Sequence, residues 1–170
     1  PMPKRALTLL RLYKSFYRLG SLPVPVLCAI HGKIIGAGVG VSSWSDWRVC
    51  SADDTSLELN FLKLGLSPGL GCSVNFTNCA SWPTTLQALL TAKPLESAEL
   101  QRYQVCHDIA VDAPAGLARA LDFAKLIATL PSSVISCAVK ALRATMATES
   151  ELRKEAWIQA LTFEHHEGHQ

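Results

Sequence analysis

The chain has 170 residues, and 49% of them are hydrophobic, which is enough for one compact core. A formal net charge of +2 without an arginine-rich run argues against a nucleic-acid partner. No apolar run is long enough to cross a bilayer, and the basic start lacks the apolar core of a secretory signal. We therefore expect a cytoplasmic protein, or an organellar one if a targeting segment precedes residue 1, with neither a nucleic-acid nor a membrane partner.

The cysteines are scattered along the chain without CxxC pairs or the spacing of zinc ligands. In a domain of this size without a secretory signal, such cysteines are typical of reduced thiols in the core. We accordingly predict no metal site and six reduced side chains: Cys28, Cys50, Cys72, Cys79, Cys106 and Cys137.

The first half of the chain alternates between helical and extended patterns. Apolar residues at helical spacing predict a helix over Lys4–Leu19. The wholly apolar run Pro25–Ile30 is typical of a strand that is buried on both faces. A glycine-rich turn follows, and we predict a helix over Val39–Trp44 and a second strand over Asp46–Cys50. We expect residues 56–64 to be of mixed extended or irregular conformation.

The next segment is rich in turns and short helices. The run Gly65–Gly71 should open a helix around Cys72–Asn78. Two further helices are predicted over Trp82–Leu90 and Glu96–Arg102, and Val105–Val111 is the last candidate strand.

Beyond residue 112 the pattern indicates helices only. Thr148 and Glu151 form a predicted capping box at the start of the third of these helices. Repeated strand–helix units followed by helices predict an α/β fold in one domain, 1–170. Its core would span about residues 1–112, and its helical tail about residues 113–170.

Several ordered segments resemble the enoyl-CoA hydratase/isomerase (crotonase) superfamily. They are Pro25–Gly32, Gly36-Ala37-Gly38, Asp46–Val49, Asn60–Gly71 and, more weakly, Leu90–Leu95. The resemblance implies an α/β crotonase-like ββα spiral core and a C-terminal helical trimerisation region, with the family's N-terminal part missing. It also implies a homotrimer or hexamer.

The resemblance implies an acyl thioester substrate, carried on coenzyme A or on the phosphopantetheine of an acyl carrier protein, with no other cofactor. The family stabilises a thioester enolate with two backbone N–H donors. One donor would be the N–H of Ala37, flanked by Gly36 and Gly38, and the second would lie in the missing N-terminal part. A tight strand-to-helix turn that requires small residues is the alternative explanation of this triplet.

Hydratases of the family add two glutamates as general acid and base. The position that matches the first is Gly40, and the second falls within Leu59-Asn60-Phe61, where no carboxylate stands. Glu58 lies beside it, and we interpret it as a solvated or structural carboxylate. The sequence therefore argues against ordinary hydration.

The run Asn60–Gly71 is similar to a segment of the family's decarboxylating members in polyketide β-branching pathways. A histidine in the C-terminal helices can protonate carbon in such enzymes, and His165 and His166 are the candidates here; a solvated helix end is the alternative. The expected substrate-binding residues are Gly36, Gly38, Leu59, Asn60, Leu66, Pro68 and Gly69.

One histidine and two tryptophans stand near the glycine-rich turn in the sequence. We predict that His31 is a hydrogen-bonded core histidine. Trp44 and Trp47 could line an acyl or pantetheine pocket or pack in the core.

Three functions thus remain open. The first is an acyl-thioester enzyme, a decarboxylase or isomerase that stabilises an enolate. The second is a catalytically silent crotonase-like module with a structural or assembly role, and the third is an enoyl-CoA hydratase.

Overall fold

The computed structural model describes the backbone of residues 2–167 and the side chains of residues 2–163. Within that part of the chain it contains six strands and eight α-helices. The strands are β1 (Leu27–Ile30), β2 (Lys33–Ile35), β3 (Trp47–Ser51), β4 (Ser56–Glu58), β5 (Leu95–Glu96) and β6 (Asp108–Ala110). The helices are α1 (Lys4–Gly20), α2 (Ala37–Ser42), α3 (Thr77–Ala80), α4 (Trp82–Thr91), α5 (Ser97–Arg102), α6 (Ala113–Ala128), α7 (Ser132–Leu142) and α8 (Glu149–Glu167).

The six strands form two three-stranded sheets. One sheet has the order β1-β3-β6 with all strands parallel, and the other has the order β2-β4-β5. β2 and β4 are parallel, whereas β5 runs antiparallel to β4. β1 and β2 thus lie in different sheets, as do β3 and β4, and a helical segment follows each of these two pairs. This repeat is the predicted ββα spiral, and it winds the chain around one core.

The core fills the space between the two sheets. Its largest cluster contains Val39 from α2, Leu57 from β4, Phe76 and Leu100, each at most 1% exposed. The predicted extended run at residues 56–64 is extended only over β4, because a 3₁₀ turn follows at Leu62–Leu64. The segment predicted to open a helix at Cys72 begins as a single π-helical turn, Cys72–Phe76, before α3.

The first and last helices lie against each other and close one side of the core. Tyr13 of α1, Trp44 after α2, and Leu152 and Ala156 of α8 share a second buried cluster. The predicted capping box at the start of α8 is confirmed: the backbone N–H of Thr148 donates to the Glu151 carboxylate over 2.6 Å. This bond and the one from the Glu151 N–H to Thr148 Oγ1 cap the N-terminal end of α8.

Two predictions about single side chains are wrong. Cys50 of β3 and Cys106 are joined in a disulfide with their Cα atoms 6.1 Å apart, so not all six cysteines are reduced. His31 is exposed rather than part of the core, because it stands in the tight turn between β1 and β2, outside the space between the sheets. The apolar periodicity of the sequence does not locate a turn residue such as His31. Nor does the spacing of the cysteines show that Cys50 and Cys106, 56 positions apart, become neighbours.

Over the described residues, no single helix is both long enough and apolar enough to span a membrane. α6 together with Ser132–Thr145 passes the same length and composition criterion only as a pair bent by 117°.

Candidate active site

A cavity of about 370 Å³ opens where the N-terminal end of α2 meets α1, α8 and the segment after β4. Its wall is predominantly apolar, as expected for a site that holds an acyl chain. The described lining residues are Leu9, Leu12, Tyr13, Ile35, Gly36, Ala37, Asn60, Phe61, Leu64, Leu66, Gly69, Leu70, Gln159 and Phe163.

The turn that leads into α2 places one free backbone donor at this cavity. Gly36 has φ +50° and ψ −106°, a conformation that residues with a Cβ rarely adopt. Its N–H donates to the carbonyl of Glu58 over 2.9 Å, which fixes the turn to β4. α2 begins at the next residue, so the N–H groups of Ala37 and Gly38 have no acceptor within the described part of the chain. Of these two residues, Ala37 lines the cavity.

Asn60 lies across the same turn. A Cβ on Gly36 would come within 2.9 Å of Asn60 Oδ1, so only glycine lets this side chain approach so closely. Among the described residues no group hydrogen-bonds to the Asn60 carboxamide, which is therefore available to a ligand. Glu58 forms an ion pair with Lys63, with 2.8 Å between Oε1 and Nζ. It is absent from the described lining of the cavity, as expected of a structural carboxylate.

Side chains of α8 hold the opposite wall in place. Gln159 Nε2 donates to the Ser67 carbonyl over 2.7 Å, and Glu155 accepts from the N–H groups of Gly71, over 2.6 Å, and of Ser73, over 2.9 Å. Glu155 also accepts a short hydrogen bond from the Ser73 hydroxyl. Burial nevertheless raises the pKa of the Glu155 carboxyl above its usual range. These bonds fix the segment after β4 relative to the last helix.

Tyr13 and Gln159 form the polar part of the cavity floor. The Tyr13 hydroxyl donates a short hydrogen bond to Gln159 Oε1, in buried surroundings. Burial, reinforced by the nearby Glu155, raises the pKa of Tyr13 above its usual range. A Cβ on Gly69 would collide with this hydroxyl, so Gly69 is small because Tyr13 approaches it. A tyrosine whose pKa is raised stays protonated and supplies a dipole rather than a base.

Leu70 occupies the space beside Gly40, the position that matches the first glutamate of hydratases. An added Cβ on Gly40 would stand 2.7 Å from Leu70 Cβ and 3.3 Å from the Gly69 carbonyl oxygen. Leu70 itself has φ +61° and is 4% exposed. The chain therefore has no carboxylate at this position and no room for one with the present Leu70.

The structure brings together five of the residues expected at the site: Gly36, Ala37, Asn60, Leu66 and Gly69 all line the cavity. It does not bring together the others. The Leu59 side chain lies in the main core at 1% exposure, and Gly38 and Pro68 stand next to lining residues without lining the cavity themselves. Trp44 packs in the core, where its indole donates to the Leu70 carbonyl over 2.9 Å, and Trp47 stacks on His107 outside this cavity.

The side chains of His165 and His166 lie outside the described residues, so the assignment of a carbon acid to them stays a prediction. Tyr13, Leu70 and Gln159 were not foreseen as site residues. The one available signal was the series Glu155, Gln159 and Thr162, whose helical spacing places polar side chains beside the apolar face of α8.

The cavity can therefore hold an apolar acyl group and offer hydrogen bonds to a carbonyl oxygen. Within its described lining, the only titratable side chain is Tyr13, and no carboxylate, histidine or lysine contributes. The described residues suit stabilisation of an oxyanion better than transfer of protons.

Comparison with known proteins agrees with this architecture. The solved enoyl-CoA hydratase of Mycobacterium avium subsp. paratuberculosis K-10 superposes with a TM-score of 0.84 at 21% identity, over 93% of this chain and 66% of that one. An enoyl-CoA hydratase from Bacillus halodurans gives a TM-score of 0.81 at 22% identity, over 91% of this chain and 62% of that one. At these identities the likeness shows a shared fold.

Among curated proteins, the chain is similar to the fatty acid oxidation complex subunit alpha of two Vibrio species. The protein of Vibrio vulnificus is 37% identical over 91 residues, which are 53% of this chain and 13% of that protein. The protein of Vibrio campbellii is 35% identical over 112 residues, which are 65% of this chain and 15% of that protein. The chain thus spans a small part of the length of these relatives.

The family model described as enoyl-CoA hydratase/isomerase matches residues 3–169, nearly the whole chain. Together with the two-sheet spiral and the glycine turn before α2, this match means that the chain belongs to the enoyl-CoA hydratase/isomerase family.

Proposed function

We propose that the chain acts on an acyl thioester by stabilising an enolate, as a decarboxylase or isomerase rather than as a hydratase. The observation that carries this proposal is the unpaired N–H of Ala37 on an apolar cavity whose described lining contains no general acid or base. An N–H at this point can donate a hydrogen bond to the thioester oxygen as negative charge develops on it. The substrate would be carried on coenzyme A or on an acyl carrier protein, with no further cofactor.

Decarboxylation makes the smallest demand on such a site. The bond between the α-carbon (or its vinylogous equivalent) and the departing carboxylate breaks, its electron pair enters the thioester enolate, and carbon dioxide leaves. A proton then adds to carbon, for which His165 and His166 are the proposed donors. Hydration instead needs a base to activate water and an acid to protonate carbon, and Gly40 provides neither.

The second candidate is a catalytically silent module with a structural or assembly role. The observation that favours it is the packing of Leu70 against Gly40, which fills the space a catalytic side chain would need. Such a module would still bind acyl thioesters, because the apolar cavity and the Asn60 carboxamide remain. Enoyl-CoA hydratase activity is the third candidate, which the names of the structural relatives suggest.

Mass spectrometry of the products, after chromatographic separation of isomeric thioesters, distinguishes the three candidates. The protein would be incubated with crotonyl and 3-methylglutaconyl thioesters, each on coenzyme A and on a carrier protein. We expect loss of carbon dioxide from the second acyl group and no addition of water to the first. Addition of water would overturn the proposal in favour of hydration, and binding without conversion would favour the silent module.

The variant Ala37→Pro tests the oxyanion donor. Proline lacks the N–H but is tolerated at the first position of a helix, where Ala37 stands. Loss of one such donor typically lowers the rate by about 10²–10³-fold. Ala37→Ser keeps the N–H and is the matched control, for which we expect a rate close to that of the parent. An equal rate in both variants would remove Ala37 from the mechanism.

A further inference from the structure

A second, larger cavity lies at the other end of α2, away from the acyl site. It has a volume of about 600 Å³ and is bounded by the start of β3, by α3, by the turn between α5 and β6, and by the segment after α7. Most of its lining residues are polar or charged, in contrast to those of the acyl cavity, and the two cavities share no lining residue. The lining side chains that the argument uses are Asp46, Arg48, Cys79, His107 and Arg143.

This cavity contains one uncompensated positive charge. Arg143 and Asp46 neutralise each other through two hydrogen bonds, one of them 2.8 Å long between Arg143 Nε and Asp46 Oδ1. Arg48 is only 3% exposed, yet no carboxylate among the described residues forms an ion pair with it. A buried cation without a counter-ion is costly, by several kcal/mol in real proteins. The pair and the unpaired Arg48 leave the wall with a net charge of +1.

The partners of Arg48 are neutral and leave one edge of its guanidinium unsatisfied. Nε donates to the Val105 carbonyl and Nη1 to the Ser45 carbonyl, both over 2.5 Å, and Nη1 also reaches Ser45 Oγ. Nη2 meets only Cys79 Sγ, at 3.1 Å, so one of its two N–H groups has no acceptor in the described part of the chain. Burial raises the pKa of the Cys79 thiol, which therefore stays neutral and supplies no counter-charge.

His107 adds a second donor beside Arg48. The backbone N–H of Arg48 donates to His107 Nδ1 over 3.0 Å, which leaves the proton of the neutral imidazole on Nε2. His107 is exposed and stacks on Trp47, which sets the plane of the ring. The cavity lining thus contains both a guanidinium N–H and an imidazole N–H, two donors suited to the oxygens of an anion.

We propose that this cavity is a binding site for a small anion that bears a carboxylate or phosphate group, with Arg48 Nη2 and His107 Nε2 as the principal donors. The anion would supply the counter-charge that Arg48 lacks. The site is independent of the acyl thioester chemistry proposed above, because the two cavities lie at opposite ends of α2.

The test uses inorganic phosphate as the probe, at neutral pH and with ionic strength held constant by sodium chloride. Isothermal titration calorimetry should show one saturable site per chain, and the ring-proton NMR signals of His107 should shift along the same curve. Arg48→Met should weaken binding by about tenfold or more, as for loss of a charge-assisted hydrogen bond. A binding curve that does not saturate, or one that Arg48→Met leaves unchanged, would overturn the proposal.

Two further variants keep the test decisive if Arg48→Met does not fold. His107→Asn retains an acceptor for the Arg48 N–H but removes the Nε2 donor, and it should weaken phosphate binding about fivefold. Arg153→Met makes the same chemical change as Arg48→Met at an exposed ion pair on α8 and should bind like the parent. If a carboxylate of a second copy of the chain neutralises Arg48 instead, the parent protein will show no saturable phosphate site, and the proposal fails.

Discussion

At the scale of single residues, Gly40 and Leu70 decide what chemistry the acyl cavity can host. A glycine inside a helix is ordinarily less stable than alanine by about 0.5–1 kcal/mol. Here an added methyl group would lie 2.7 Å from Leu70 Cβ. We therefore expect Gly40→Ala to lower the free energy of unfolding by about 1–3 kcal/mol, the cost of overpacking, despite its better helix propensity. Urea denaturation measures this change.

Gly38→Ala is the matched control for Gly40, because both glycines lie in α2. A Cβ on Gly38 would stand 3.2 Å from Ile34 Cγ2, a contact that a shift of a few tenths of an ångström relieves. Its effect should stay within about 0.5 kcal/mol of the parent. When both proteins carry Leu70→Gly, which removes the contacting Cβ, Gly40→Ala should lower the free energy of unfolding much less than it does in the parent. A stabilising effect of Gly40→Ala alone would contradict the close contact.

Glu155 gives the protein a pH-dependent stability. Its pKa in the folded state is raised by burial above the unfolded value of about 4.3, so the folded state holds this proton more tightly. The contribution of Glu155 to stability is thus fully present below the unfolded pKa and decreases as the pH rises through the folded pKa. Compared with the parent, Glu155→Gln should show a flatter dependence of stability on pH from about pH 4 upward. Thermal unfolding over that range would measure the difference, and identical slopes would contradict it.

Site residues whose type is dictated by the adjacent turn could be predicted from the sequence. Site residues whose type is dictated by contacts with distant parts of the chain could not. Gly36 was expected at the turn because a short run of small residues implies close backbone approach. Gly69 contacts Tyr13 and Gln159, which stand 56 and 90 positions away in the chain, and nothing near Gly69 reveals that contact. The place of Leu70 beside Gly40 is hidden for the same reason.

At the scale of elements, Arg143 joins the helical tail to the spiral core. Its side chain is 6% exposed, and its guanidinium binds Asp46 as well as the carbonyls of Leu22, over 2.6 Å, and Val24, over 2.9 Å. Replacing one partner of a buried pair leaves the other charge unpaired, which typically costs about 3–5 kcal/mol. Arg143→Met should therefore lower the free energy of unfolding by about that amount.

The exposed pair of Arg153 with Glu149 provides the comparison for Arg143. Arg153 is 53% exposed, and pairs of this kind contribute at most about 1 kcal/mol. Arg153→Met should unfold at nearly the parent urea concentration. Equal losses in the two arginine variants would show that the tail is held by its apolar contacts and not by Arg143.

Most elements were predictable, but their ends and their partners were less so. α1, α4 and β3 lie within a residue or two of the predicted ranges, because their apolar periodicity is strong. The last strand was predicted over Val105–Val111, yet β6 covers only Asp108–Ala110, because Cys106 and His107 belong to the turn that reaches back to β3. The sequence could not show that turn, since it depends on pairing with a strand nearly 60 residues earlier.

At the scale of the whole molecule, the chain exposes more surface than is typical of a globular monomer of its mass. Its accessible area is 9478 Å², against about 8,200 Å² expected for a globular monomer of this mass. Apolar residues at helical spacing lie on the outer face of α7: Val134 is 63% exposed and Leu142 is 79% exposed, with Ala138 exposed between them. An apolar helical face turned to solvent is typical of a surface that contacts another chain.

We therefore expect self-association through α7, with a trimer as the predicted state. Val134→Glu combined with Leu142→Glu places two charges on that face, and burying them in an interface would be costly, so the variant should run as a monomer. Light scattering coupled to size-exclusion chromatography measures the mass. Leu90→Glu changes an equally apolar residue on α4, 66% exposed, and should leave the mass unchanged. A monomeric parent, or association abolished only by Leu90→Glu, would mean that the outer face of α7 is not where copies of the chain meet.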